Sequence, residues 1–169
     1  KIMTTIGDKL QQVRTRIETA CTACGRDASS VRLLAVSKTF PEAALREAHA
    51  AGQRAFGENY VQEGVAKIQA LADLRSSIEW HCIGPLQSNK TRPVAEHFDW
   101  VHSVDRFKIA QRLSEQRPAG MAPLQLCLQV NVDGGENKSG VAPAEARGPA
   151  RQVGEVFHGA GRGVWATPA

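Results

Sequence analysis

The residue of this chain best suited to covalent chemistry is a lysine. Val31 to Phe40 reads VRLLAVSKTF, an apolar, β-branched run that stops at Lys38 and is followed at once by Pro41. Four apolar residues in the five from Leu33 to Ser37 are the pattern of a strand buried on both faces, as in parallel sheets. Alternation puts Leu34, Val36 and Lys38 on one side of that strand, so the amine is expected on an otherwise apolar wall. Desolvation there disfavours the ammonium and lowers its pKa, which fits a lysine for attack on a carbonyl and for Schiff-base formation. The same stretch also accommodates a lysine that lays its stem along the strand end and keeps its amine in water.

Other polar residues stand where apolar runs end. Asn59, two residues beyond Gly57, offers an amide that could orient a ligand ring or a bound water, or could cap the helix that follows. His81 and Ile83 alternate onto one face of a strand, and Ser103 ends the next. A histidine in that position is either an acid or base at a ligand or a satisfied core residue. Gly84-Pro85 marks a tight turn at which backbone can approach, while Gln87, Ser88 and Asn89 present donors at a helix start, where an anion could be held. Lys138 is a second amine or a solvated loop lysine. Glu58, Glu63 and Asp105 show no acid/base spacing, and His and Cys form no metal pattern. Cys21 and Cys24 make a CxxC that ends a helix and has no second pair, so all four cysteines read as reduced structural thiols.

The elements that must position these residues recur with a regular period. Ile6, Leu10, Val13, Ile17 and Ala20 predict an amphipathic helix from about Thr4 to Cys24, closed by Gly25. After the Lys38 strand, Pro41 opens a helix with Ala44, Leu45 and Ala48 on its apolar stripe, ended by Gly52. Strands are expected at Arg54–Gly57, Ile78–Gly84, Trp100–Val104 and Leu124–Val132. Helices are expected from Tyr60 to Leu74, with Gly64 weakening it slightly, from a Ser88 cap through Phe98, and from Asp105 to Gln116. Strand ends near 38, 58, 84, 104 and 132 lie about 20 to 28 residues apart, one strand-loop-helix unit each, which requires a parallel sheet. A doubly wound sheet fits this repeat, but no GxGxxG follows the first strand, so a TIM-type (β/α) barrel is preferred. In such a barrel the site forms at the carboxyl ends of the strands.

Composition narrows the partners. One domain is expected over 1–169, long enough to bury roughly two-thirds of its unfolded surface. Lys+Arg number 21 against 17 Asp+Glu, a net +4 spread along the chain. That suits an anionic small ligand and speaks against nucleic acid, which wants a clustered basic face. No apolar stretch is long enough to span a bilayer and no secretory leader is visible, so a soluble, cytoplasmic protein is expected.

Five segments in order are LLAVSKTF, FGENYVQE at Phe56 to Glu63, WHCIGPLQSNK at Trp80 to Lys90, VHSVDR at Val101 to Arg106, and LQVNVDGGENKSG at Leu128 to Gly140. Together they resemble the YggS/PROSC-type pyridoxal-phosphate homeostasis family, over most of the chain up to about Ala146. The resemblance implies an alanine racemase-like barrel, a monomer, and pyridoxal 5'-phosphate held as an internal aldimine on Lys38. Lys38, Asn59, His81, Ile83 and Ser103 are the expected cofactor-binding set. The family's phosphate cup comes from late Gly-Met-Ser and Arg-Ile-Gly segments, and this sequence contains neither. Gly148-Pro149 argues against a helix continuing from Pro143, where the family has one. Gly163 to Pro168 stands where the family has its sixth strand, with an unusual Trp165. Since eight units usually take at least about 200 residues, about six are expected here. The barrel is then incomplete, with an edge exposed or paired to another chain. Phosphate is expected to be held less well, each lost charge-assisted hydrogen bond being worth on the order of 1.5 to 3 kcal/mol.

With no second acid or base visible across from Lys38, cofactor holding is favoured over turnover. A racemase-like enzyme would need that second group and a further domain. A cofactor-free Schiff-base aldolase would need only the lysine, and a protein or nucleic-acid interaction module has only the basic balance in its favour.

Overall fold

The computed structural model of the chain describes residues 4–135, 138–156 and 161–167, with side chains described as far as Gly154. A first helix, α1 (Ile6–Ala23), precedes five strand-helix units and a sixth strand. The strands are β1 (Ala35–Val36), β2 (Ala55–Glu58), β3 (Glu79–Cys82), β4 (Trp100–Val104), β5 (Gln125–Asn131) and β6 (Gly161–Thr167). Between them run α2 (Glu42–Ala50), α3 (Val61–Ala70), α4 (Thr91–His97), α5 (Phe107–Gln116) and α6 (Arg147–Val156). All strand pairs are parallel, and the sheet order is the chain order β1 to β6. A doubly wound sheet reverses its order at a switch point, and none occurs here. The strands wind in one direction as in a barrel, and among the described residues no pairing joins β6 to β1, so the expected incomplete barrel is found.

Local chemistry sets the ends of these elements. Thr5 and Asp8 make a reciprocal capping box on α1: the Thr5 hydroxyl accepts from the Asp8 N–H at 3.1 Å, and Asp8 accepts from the Thr5 N–H at 3.0 Å. Gly25 takes φ +67 just beyond the helix end, a conformation that costs an L side chain dearly. Pro41 is the residue before α2, where its missing N–H loses nothing.

The core is one layer between the outer face of the sheet and the helices. Phe56, Trp80, Val101 and Leu126 project from β2 to β5 onto Leu45, Ile68, Val94, Phe98, Ile109 and Leu113, and Val153 of α6 joins them. In β5 the alternation is complete, with Leu126, Leu128 and Val130 buried and the residues between them partly exposed. Full burial of each large side chain stabilises by about 1.5–3 kcal/mol, so this layer is the main stabilising term.

Four expectations need correction. The Lys38 strand is not buried on both faces: β1 is a two-residue edge strand, Val36 is 50 % exposed and Lys38 is exposed. Its interior side has no further strand packed beside it among the described residues. The third helix stops at Ala70 and tightens into a 3-10 segment over Ala72–Ser77, because Leu71 turns fully into the core. Ser88 does not cap α4; Ser88–Lys90 is a 3-10 turn whose Ser88 carbonyl accepts from the buried Thr91 hydroxyl. Finally, Gly148-Pro149 does not prevent a helix. Pro149 falls in the first turn of α6, where backbone N–H groups lack intrahelical partners anyway, and Ala150 N–H bonds the Ala146 carbonyl at 3.1 Å to start the ladder. The sixth strand does form, with Trp165 in register with Gln129.

Gly64 has a packing reason that helix propensity hides. A Cβ there would stand 2.6 Å from Cζ of the fully buried Phe98 and 3.2 Å from Cβ of Glu58. Gly64→Ala should therefore destabilise by about 1–3 kcal/mol, although propensity alone would favour alanine by nearly 1 kcal/mol. A lower urea midpoint at unchanged slope is the expected result, and a higher one would show that Phe98 can yield.

Candidate functional site

The pairing register divides the sheet into two faces. Val36, Gly57, His81, Trp100 and Gln125 form one row across β1 to β5 on the interior face, opposite the helices. Two residues beyond Val36, Gly57 and His81, just past the strand ends, come Lys38, Asn59 and Ile83, and the Ile83 side chain packs over the interior position of Gly57. They gather at the carboxyl ends of the strands, the mouth at which βα loops build sites in barrels. The ladder is continued there by Ser37 N–H to the Gly57 carbonyl and Ile83 N–H to the Glu58 carbonyl, both at 2.9 Å. Ser103 reaches the mouth by a different route. Val101 pairs with Leu126 and Val104 with Leu128, so His102 and Ser103 together oppose the single residue Cys127, a β-bulge. Without this extra residue Ser103 would share the helix face with Val101. Its hydroxyl is buried and has no hydrogen-bond partner among the described residues.

Backbone approach shapes the mouth. Gly84 lies so close to the loop after β2 that a Cβ on it would sit 2.1 Å from the Asn59 carbonyl oxygen. Asn59 does not cap α3; that position belongs to Tyr60, and no side chain caps the helix. The capping role is thereby excluded for Asn59. After β5, Gly140 at φ +126 packs its Cα face on the Asn131 N–H, and the Asn131 amide donates to the Gly135 and Lys138 carbonyls. Lys138 is ion-paired with Asp133.

His81 is held on both ring nitrogens. Nε2 lies 2.8 Å from Glu79 Oε1, which also meets Arg32 at 2.8 Å, and Nδ1 lies 2.9 Å from His102 Nε2, with Trp100 stacked at 5.4 Å between ring centroids. A carboxylate only accepts, so the His81 Nε2–H donates to Glu79 and its Nδ1 accepts from the His102 Nε2–H. Burial pushes the His81 pKa down against the pull of Glu79, and it pushes that of His102 down to about 4 with help from the His81 charge. This is the bonding of a neutral His81 whose two ring nitrogens are both engaged.

A buried ionic cluster lies directly beneath Lys38, on the helix side of the sheet. Glu58 is fully buried, and Lys67 of α3 reaches its Oε1 at 2.8 Å and Glu63 Oε1 at 2.6 Å. Ser37 Oγ donates to the same Glu58 oxygen at 2.6 Å. The hydrogen bond from Lys67 holds the Glu63 carboxyl below the usual carboxylate range, although burial acts against it. Next to Lys38, Thr39 adopts φ +66, and its N–H donates to Glu63 at 2.6 Å. A β-branched residue in the left-handed region costs on the order of 1–3 kcal/mol and persists only where the surroundings fix it. Sequence reasoning weighed Glu58 and Glu63 only as an acid/base pair and passed over Lys67. The spacing of Glu63 and Lys67 was a legible signal, being i, i+4 on a helix, whereas the link to Glu58 exists only through tertiary packing.

The opposite end of the sheet has a different character. A cavity of about 740 Å3 there is lined by Arg32, Arg54, Arg75 and Arg117. Their guanidiniums are turned onto the protein itself: Arg75 forks onto Asp99 at 2.6 and 3.1 Å, and Arg117 donates to the Ala95, Phe98 and Ala122 carbonyls. These contacts tie strand starts to helix ends. The four cysteines are free thiols, and burial raises the Cys82 pKa to about 12. No helix among the described residues is long and apolar enough to cross a membrane.

Comparison with known proteins gives a consistent result. Residues 9–166 match the family described as alanine racemase, N-terminal domain. A pyridoxal phosphate homeostasis protein of Pseudomonas aeruginosa is 59 % identical over 166 residues, which are 98 % of this chain and 71 % of that protein. The structure of PipY from Synechococcus elongatus without PLP superposes with a TM-score of 0.70 at 46 % identity, over 83 % of this chain and 65 % of that one. The same protein with PLP bound gives 0.73 at 41 % identity, over 90 % of this chain and 70 % of that one. The chain thus spans about two-thirds to seven-tenths of the length of these relatives.

The histidine pair makes stability depend on pH with a defined sign. The unfolded chain binds a proton at His102 below its ordinary value of 6.5, whereas the folded chain refuses it until about 4. Stability is therefore fully present above 6.5 and falls as the pH drops from there to about 4. Thermal melts across this range should show the fall, and His102→Gln should flatten it. An equal slope in that variant would remove His102 as the source.

Proposed function

Because the chain belongs to the alanine racemase N-terminal-domain family and sides within it with the pyridoxal phosphate homeostasis proteins, we propose that it binds pyridoxal 5'-phosphate covalently at Lys38. We read its role as intracellular cofactor homeostasis, as one domain over 1–169, in the cytoplasm and without turnover of its own. The observation that carries this reading is the position of Lys38: it is the exposed lysine just past the carboxyl end of β1, in the motif that the family resemblance assigns to the cofactor.

The residues at the mouth fit such a ligand. The amine of Lys38 is exposed, the Ser103 hydroxyl is buried without a partner, Asn59 is not used as a cap, and Gly84 leaves the backbone of the Asn59 loop close at hand. An orphaned buried hydroxyl costs about 1–3 kcal/mol unless a ligand satisfies it. When bound, the cofactor supplies an aldehyde as the electrophile. Lys38 supplies the amine that attaches to it, Asn59 and Ser103 offer hydrogen bonds, and Ile83, leaning over Gly57, gives an apolar wall. His81 belongs to this set as part of the floor of the mouth, where Glu79 and His102 fix its ring and engage both nitrogens.

This occupation of His81 also supports a carrier over a racemase. Proton abstraction from an amino acid needs a base with a free lone pair across from Lys38. The interspersed charge supports a small anionic partner over nucleic acid. Monomeric behaviour follows the family reading, with the β1 and β6 edges as the places where a second chain could pair.

Two measurements test the proposal. Reduction of the cofactor-treated protein with borohydride followed by peptide mapping should place the adduct on Lys38, and a label found chiefly on Lys138 or Lys90 would sink the assignment. Alanine incubated with the loaded protein should racemise no faster than with free cofactor. A rate well above that would promote the racemase reading.

A further inference from the structure

The peptide groups on either side of Lys38 are both gripped by one helix. On the amino side, Lys67 Nζ donates to the Ser37 carbonyl at 2.7 Å. On the carboxyl side, Glu63 Oε1 accepts from the Thr39 N–H at 2.6 Å. Lys67 and Glu63 are one turn apart on α3 and paired to each other, and Glu58 completes the group by taking Lys67 and the Ser37 hydroxyl on one oxygen. All three donors of the Lys67 ammonium are spent: on Glu58, on Glu63 and on the backbone of the lysine loop.

We propose that Lys67, Glu63 and Glu58 are positioning residues for Lys38, a buried ionic clamp that fixes the lysine backbone from both sides so that its amine is presented to the interior face. This rests on the reading of Lys38 as the attachment point. The need for a clamp follows from the strand. β1 pairs through Ala35 and Val36, and Ser37 makes the last ladder bond, so β-pairing does not fix Lys38 itself. An exposed edge strand of this length would otherwise fray. The left-handed turn at Thr39 is the visible consequence, since the chain reverses there at once and a β-branched residue is kept in an unfavourable conformation by the bond to Glu63. The cluster lies on the helix face and touches the lysine loop at Ser37 and at the Thr39 N–H, so it acts through the backbone and does not compete for the ligand.

The test uses Glu63→Ala, which removes the grip on Thr39 and leaves Lys67 paired with Glu58, and Glu63→Gln, which keeps an acceptor in place. Two readouts are taken. The first is amide hydrogen exchange at Thr39 in the ligand-free protein. The second is the share of borohydride-fixed pyridoxal phosphate on Lys38 relative to all other lysines. Losing one charge-assisted hydrogen bond should speed Thr39 exchange and lower the Lys38 share by about ten- to a hundredfold in the alanine variant, at a nearly unchanged melting temperature. The glutamine variant should recover most of both. Wild-type exchange and wild-type labelling in Glu63→Ala would overturn the clamp. If the wild-type protein takes no label on Lys38 while Thr39 exchange still rises in the variant, the attachment reading fails and the clamp alone stands. Lys67→Met gives a second check: it should lose the Lys38 preference more completely, and if it fails to fold, the Glu63 pair of variants decides.

Discussion

Everything in this structure depends on the requirement that one face of each strand be covered by the helix that follows it. The outward residues of β2 to β5 are large and apolar, and they can leave water only if each helix returns across them. That return makes every pair of neighbouring strands parallel and sets the strands side by side in chain order. The interior face is left free of this duty. It carries Gly57, His81, Trp100 and Gln125 in one row, a mixture too polar for a core and suited to the neighbourhood of a ligand.

The helix face is not wholly apolar, and its exception is informative. Glu58 and Lys67 are buried where the mouth is closest, at a place where two well-packed hydrophobic side chains would be at least as stable. Removing one partner of such a pair costs about 3–5 kcal/mol because the other charge is left stranded. Ions in that place therefore serve geometry, and what they hold is the loop of Lys38. The second oxygen of Glu58, unpartnered among the described residues, and the left-handed Thr39 are costs that both lie beside the loop of that lysine.

The two ends of the sheet divide the labour. At the strand starts, arginines are consumed by carbonyls and carboxylates of the chain itself and lock helices to strands. At the strand ends, an exposed amine, an uncapped amide and an orphaned hydroxyl stand close to glycine-permitted backbone. Polar groups that the fold has satisfied belong to stability, whereas the buried Ser103 hydroxyl is left without a partner among the described residues.

The order of elements, their parallel pairing and the placing of Lys38, Asn59, Ile83 and Ser103 near strand ends were legible in the sequence. Hydrophobic period and turn residues are local signals, and each strand-helix unit encloses its own. The family was legible as well, from five motifs in order. Tertiary structure alone decided the rest. Whether Pro149 ends a helix or begins one depends on which turn it occupies, and whether Gly64 weakens α3 or makes room for Phe98 depends on a residue 34 positions away. The exposure of Val36 reflects its place on a two-residue edge strand, with no further strand beside it among the described residues, which a buried-strand pattern does not encode. The bulge that turns Ser103, the pairing of His81 with His102 and the grip of Lys67 on Ser37 all join residues from different units. Such contacts have no period along the chain, because they are set by the register between strands and by the seating of a helix on the sheet.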